Sequence, residues 1–167
     1  SHSLLDGERV QRNPRCCRNV MKIGVIGGTG VYDPEMIEDP RDIELESDYG
    51  VLPAKVGKMK GNEVVFIARH GYGHSIPPHK INFRANIMGL KNYGVERIIA
   101  TSAVGSLNME MKPGEFVILS DFIDFTKGRI LTFFDGDEKG VVHTDFTEPY
   151  CGELRSLIAA ACDEIGV

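Results

Sequence analysis

The most constraining feature of this chain is an apolar run that ends abruptly in glycines. Lys22 to Ile26 reads Lys-Ile-Gly-Val-Ile, and the sequence continues as Gly27-Gly28-Thr29-Gly30. Apolar residues of this kind predict a buried strand, and glycine at the strand end allows another group to approach the main chain closely. Glycine-rich strand ends often cradle anions. Two familiar loops are tested by spacing. A dinucleotide loop requires G-x-G-x-x-G, but the third glycine position holds Asp33. A P-loop requires a lysine after its last glycine, and none follows Gly30. The loop is an anion-site candidate whose anion is neither a dinucleotide nor a triphosphate. A tight turn without a ligand is the plain alternative.

The chain of 167 residues is one domain's worth and long enough to bury a core. Its net charge of −5 argues against a general affinity for nucleic acid or an anionic membrane surface. No apolar stretch approaches the roughly 20 residues needed to span a bilayer. Cysteines 16, 17, 151 and 162 show no CxxC or Cys/His spacing, so no metal site is expected. They read as reduced thiols of a cytoplasmic protein, with Cys151 and Cys162 as small apolar helix residues. Residues 1–20 are polar, basic and without period. They lack the apolar middle of a secretory signal and read as a tag remnant or disordered extension, with Met21 a credible start. Residues 21–167 then form the domain.

Beyond the first strand, further strands are expected at Ala54–Val56, Glu63–Ala68, Arg97–Thr101 and Phe116–Leu119. The spacing of Phe83, Ile87, Met88 and Leu90 predicts a helix over 82–93, stopped at Gly94. A second helix is expected from about Gly152 to Ile165, with Leu154, Leu157, Ile158, Ala161 and Ile165 as its apolar stripe. The mixture predicts an α/β fold, a mixed central sheet flanked by helices. Ligands of such sheets bind beyond the C-terminal strand ends. Three such ends carry anion donors: Gly27-Gly28-Thr29-Gly30, Arg69-His70-Gly71, and Thr101-Ser102-Ala103-Val104-Gly105. Thr29 and Ser102 offer hydroxyls, Arg69 a planar fork, His70 a ring nitrogen, and small Ala103 an approachable N–H. A phosphate, with four oxygens, needs donors from several sides. Taken singly, Arg69 could be a surface ion-pair residue, and Thr29 and Ser102 could serve only turns.

Longer blocks carry a resemblance. KIGVIGGTG, ARHG followed by HSIPPHKINFRANI, ATSAVGSLN, and KPGEFVILSDFID together resemble the N-terminal part of the trimeric purine nucleoside phosphorylases, in particular the 5′-methylthioadenosine phosphorylase group. The resemblance runs in order from Met21 to about Val167. It implies a phosphorylase-like sheet and phosphorolysis of a purine nucleoside to free base and a ribose 1-phosphate. It implies no cofactor, orthophosphate as co-substrate, and a homotrimer or a multiple of one. It places phosphate on Thr29, Arg69, His70, Ser102 and Ala103, with serine or threonine admissible at 29 and 102. His74, Val104 and Gly105 would line the substrate, while the role of His79 is less defined. His143, in VVHTDFTEPYC, would reach a nucleoside bound by the neighbouring subunit.

The resemblance also implies roughly 100 further residues, carrying a purine-recognising Asp or Asn, a Thr or Ser of the phosphate site, and a Met beside the sugar. No residue here takes those roles. Asp121 and Asp124 would belong to a strand end, and Asp135, Asp137 and Glu138 to a solvated loop. The C-terminal part is thus expected to be missing, or to exist as a separate polypeptide. Two other functions remain open: a nucleoside hydrolase using water, and a truncated form that binds ligand without turnover.

Overall fold

The computed structural model describes residues 20–28, 30–136 and 140–167. Thr29, residues 1–19, Asp137 and Glu138 lie outside the described residues, and the readings made of them are not addressed by it.

Five strands form one sheet: β1 (Lys22–Gly27), β2 (Glu38–Ser47), β3 (Gly50–Met59), β4 (Asn62–Ala68) and β5 (Arg97–Ala100), in the order β2-β3-β4-β1-β5. β2, β3 and β4 form an antiparallel meander. β1 pairs in parallel with β4 on one side and β5 on the other. A parallel neighbour needs a crossover, and helix α1 (Phe83–Tyr93) lies on the connection from β4 to β5. α1 is well delimited. Asn82 accepts a hydrogen bond from the N–H of Ala85 at 3.0 Å, a side-chain cap. Gly94 ends the helix at φ +91°, in the left-handed conformation glycine accepts without a Cβ penalty.

The core is the face of the sheet, from β2 across β3 and β4 to β1, that α1 covers. Ile26, Leu45, Ala54, Val56, Val65, Ile67 and Leu90 are buried together. The second face gathers Ile37, Val64 and Phe66, with Tyr32 set edge-on to Phe66 at 5.4 Å. A Cβ on Gly24 would stand 3.0 Å from Leu90, so that glycine lets α1 pack closely onto β1.

Several sequence expectations need correction. α1 buries Ala85, Asn86, Gly89 and Leu90, whereas Phe83 and Ile87 are exposed. The stripe chosen by residue size is turned from the observed face, because Gly89 and Ala85 are what permit contact: a Cβ on Gly89 would meet Leu45 at 3.0 Å. β2 was not anticipated, since its opening, Glu-Asp-Pro-Arg-Asp, is charged; it forms as the edge partner of β3, where charge and proline are tolerated. β3 runs well past Ala54–Val56 at both ends. Phe116–Leu119 is no strand: among the described residues, none between Thr101 and Cys151 belongs to a helix or strand. Side chains there bond nearby backbone instead, as Asp124 does with the N–H of Thr126 and Asp145 with that of Thr147. The hydroxyls of Thr126 and Thr147 first, and those backbone N–H groups second, hold the Asp124 and Asp145 carboxyls below the usual carboxylate range. Helix α2 (Gly152–Ile165) forms as expected, but its stripe is not core: it has no buried residue, and Leu157 and Ile165 are 60% and 72% exposed. Cys151 is exposed and Cys162 intermediate, both as free thiols.

Leu90→Ala removes a side chain that is fully buried between α1 and β1. It is expected to cost about 2–5 kcal/mol, read as a lowered midpoint in urea unfolding.

Candidate phosphate site at three strand ends

Register decides which residues meet beyond the sheet. Gly27 pairs with Ala68, and Ile26 with Ala100. The ladders run one step further through backbone bonds from Arg69 N–H to the Gly27 carbonyl (3.1 Å) and from Thr101 N–H to the Ile26 carbonyl (3.0 Å). Continuing the register, by one residue from the Gly27–Ala68 pair and by two from the Ile26–Ala100 pair, puts Gly28, Arg69 and Ser102 in a single row across β1, β4 and β5.

Arg69 is the centre of that row. Its Nε donates to His70 Nε2 at 3.3 Å, its Nη2 donates to Ser102 Oγ at 3.3 Å, and its Nη1 donates to the Thr101 carbonyl. Among the described residues these bonds engage three of the five N–H donors of the guanidinium, leaving two toward a ligand. Since Arg69 is a donor only, His70 Nε2 must accept. The imidazole proton then sits on Nδ1, which faces the Ile76 carbonyl at 2.9 Å and donates to it. His74 stacks on His70 with ring centroids 4.7 Å apart and planes 22° from parallel. His74 itself has φ +59°, an uncommon conformation for a residue with a side chain. The turn carrying both rings is closed by bonds from Gly71 N–H to the Ala68 carbonyl (2.8 Å) and from Ile76 N–H to the His70 carbonyl (2.7 Å).

The structure thus brings together Arg69, His70, His74 and Ser102. Ala103, Val104 and Gly105 follow Ser102 along the chain and are exposed, Val104 at 81%. His143 is exposed in an irregular stretch, and among the described residues no hydrogen bond or ring contact ties it to the cluster. His79 lies in a short 3-10 turn, Pro78–Lys80. Thr29, as noted, is outside the described residues. Two participants escaped the sequence reading: the Thr101 carbonyl and Gly28, whose absent Cβ leaves room for the arginine. The register could have found both, had the pairing been known.

An apolar hollow adjoins the cluster, lined by Gly27, Gly28, Val31, Tyr32, Phe66 and Tyr72 among others. Burial pushes the Tyr72 hydroxyl above its ordinary range, against the opposing pull of Lys55. Lys55 is raised in turn by its hydrogen bond to Asp42, its cross-strand partner in the β2–β3 pair. Among the described residues, no group of three or more His, Cys, Asp or Glu could hold a metal ion. No described helix is long and apolar enough to cross a membrane.

Gly71→Ala should loosen this turn selectively. Gly71 has φ +71°, and an added Cβ would stand 2.7 Å from Ser75 Oγ. Amide exchange at Ile76 is expected to accelerate while that of Val65 in the core stays slow. Equal acceleration at both would show that the turn is not a local unit.

Comparison with known proteins matches this arrangement to one family. The model described as the Phosphorylase superfamily covers residues 22–167. A "Probable 6-oxopurine nucleoside phosphorylase" from Thermococcus kodakarensis is 56% identical over 150 residues, spanning 87% of this chain and 56% of the relative. An "S-methyl-5'-thioadenosine phosphorylase" from Thermofilum pendens is 47% identical over 149 residues, spanning 88% of this chain and 56% of the relative. Among solved structures, a methylthioadenosine phosphorylase from Schistosoma mansoni in complex with adenine superimposes with a TM-score of 0.81 at 34% identity, covering 88% of this chain and 55% of that one. The chain therefore spans little more than half the length of these relatives. With one family model spanning the whole sheet and both helices, and relatives above half identity, this chain belongs to the phosphorylase superfamily.

Proposed function

We propose that the protein represented by this chain catalyses phosphorolysis of a purine nucleoside, giving free base and a ribose 1-phosphate. The observation that carries the proposal is the convergence of Arg69, His70 and Ser102 from the ends of β4 and β5, on either side of β1, in a chain whose relatives are named nucleoside phosphorylases. Two guanidinium N–H groups and the Ser102 hydroxyl supply donors for orthophosphate, with Thr29 and the N–H of Ala103 adding to them. His74, Val104 and Gly105 border the sugar. His143 serves the site of a neighbouring subunit in a cytoplasmic trimer or a multiple of one.

The chemistry is substitution at the anomeric carbon. The glycosidic bond lengthens, positive charge grows on the sugar, and bound phosphate stabilises that charge before attacking. Holding phosphate beside the sugar removes much of the entropic cost of a two-substrate reaction. The departing purine needs a proton donor near its ring nitrogens. No described side chain of the Arg69 cluster is an acid placed for that task, so the base-recognising groups belong to the part of the family fold that this chain does not span. The chain alone is expected to turn over incompletely, and to require that part joined to it or bound as a separate polypeptide. The substrate is methylthioadenosine or a related purine nucleoside; relatives named for 6-oxopurines and for methylthioadenosine both match this part of the fold, and the choice of base lies with the groups outside it.

Base release from inosine, guanosine and methylthioadenosine, measured with and without phosphate or arsenate in the family-length protein, tests this reading. Release is expected only with the anion. An equal rate in phosphate-free buffer would replace phosphorolysis with hydrolysis. Arg69→Ala is expected to weaken phosphate binding at least about tenfold, since a charge-assisted hydrogen bond contributes about 1.5–3 kcal/mol. Thr29→Val should show a smaller loss. Unchanged phosphate titration of Arg69→Ala would return Arg69 to the role of a surface residue.

A further inference from the structure

We infer that Gly28 is a positioning residue: its missing side chain is the seat over which the Arg69 guanidinium crosses β1 to reach β5. The inference rests on the reading of Arg69 as an anion ligand only for its consequence, not for its geometry. The geometry follows from strand order. Arg69 leaves the end of β4, and its partners Thr101 and Ser102 leave the end of β5. β1 lies between those strands. Neighbouring strands are about 4.8 Å apart, so the β4 and β5 backbones stand roughly 9.6 Å apart, and the Arg69 side chain crosses the intervening strand end to bridge them. Whatever residue continues β1 in that row lies under its path, and that residue is Gly28.

The contact is measurable. A Cβ on Gly28 would stand 3.2 Å from Arg69 Nη2 and 3.8 Å from Cζ. The nearer value is tighter than an unstrained contact, and the atoms it meets are the nitrogen and carbon that carry the bond to Ser102. Gly28 is absent from the residues with positive φ, so its conformation does not itself demand glycine. Among the described residues, Arg69 is the group its Cβ would meet within 4 Å, and no side chain of the core crowds it. Gly27, one residue earlier, contrasts with it, because a Cβ there would press on Val31 at 2.7 Å and disturb packing. The two adjacent glycines thus do different work. Gly27 admits Val31, while Gly28 admits a cation.

His70 braces the other side of the guanidinium. Its Nε2 accepts from Arg69 Nε, and its Nδ1–H is held by the Ile76 carbonyl. The arginine is consequently fixed at three points: the ring of His70 on β4's own turn, the Thr101 carbonyl and the Ser102 hydroxyl. The two remaining N–H groups then point from a preset plane, so an incoming anion does not have to order a free side chain. Ordering a flexible arginine on binding carries an entropic cost that such seating removes in advance.

The test is a double-mutant cycle on Gly28→Ala and Arg69→Ala in the family-length protein, with inorganic phosphate as the probe and the thermal midpoint as control. Because the displaced atoms end a flexible side chain, Gly28→Ala is expected to fold with a midpoint close to that of the parent. Phosphate affinity should fall several-fold to tenfold in the parent background and change less than about twofold when Arg69 is already alanine, as expected of residues that act through one another. Equal losses in both backgrounds would overturn the inference and assign Gly28 a direct backbone role at the ligand.

A second measurement does not depend on phosphate binding. In the 15N-labelled parent, the Arg69 Nε–H resonance should be protected from exchange, and His70 should show the Nδ1–H tautomer. Gly28→Ala should abolish the protection of Nε–H. An Nε2–H tautomer, or an unprotected Nε–H in the parent, would overturn the seating directly. If the parent shows both signatures but no phosphate affinity, the seating stands and the phosphate reading of the site fails.

Discussion

The parallel pairing of β1 with β4 on one side and β5 on the other aligns everything that follows. Parallel ladders bring strands to their C-terminal ends at the same edge of the sheet. Ala68, Gly27 and Ala100 therefore finish near one another, and the next residues of three distant chain segments become neighbours. Sequence separations of 32 and 33 residues are bridged in this way, from Arg69 to the Thr101 carbonyl and the Ser102 hydroxyl. Were β5 antiparallel, its opposite end would stand at this edge and Ser102 would be removed from the cluster.

Small residues make that pairing possible. Gly24 admits Leu90 and so lets α1 lie against β1, while Gly89 admits Leu45 and ties the same helix to β2. The helix then covers the face where Val56, Val65 and Ile67 are buried. Packing explains why the helix turns toward Ala85 and Gly89 rather than toward Phe83 and Ile87. Interiors are close-packed, and the face that permits the nearest approach gains more dispersion contacts than a face of larger, protruding side chains. The meander of β2, β3 and β4 is held by the same core, with Lys55 paired to Asp42 across β3 and β2, while Lys22 pairs with Glu63 between β1 and β4. Such exposed pairs contribute little stability; they reflect the register rather than cause it.

The irregular stretch from Thr101 to Cys151 behaves differently. It contains apolar segments that read as strand, yet Phe116, Val117 and Leu119 are exposed and make no ladder. A central strand is defined by neighbours on both sides, and local composition cannot supply them. Asp, Asn, Ser and Thr side chains bond the adjacent backbone there, and Phe122 packs edge-on against Phe146 and Tyr150. Chain continuity from β5 carries Ala103, Val104 and Gly105 out of the Arg69 cluster into this stretch.

The sequence by itself determined the elements whose signals are local. β1 and β4 are apolar runs punctuated by glycine or arginine, α1 is bounded by Asn82 and Gly94, and α2 matches its periodicity from Gly152 to Ile165. The donors at each strand end were legible too, because hydroxyl, guanidinium and imidazole announce their chemistry wherever they stand. Only the tertiary structure decided how they combine. It set which strand lies between Arg69 and Ser102, which nitrogen of His70 accepts, and which face of α1 is buried while α2 buries none. These are questions of register and packing between residues far apart in the chain. A glycine such as Gly28 carries no side chain to advertise its role, and what it does is visible only from the group that occupies the space it leaves.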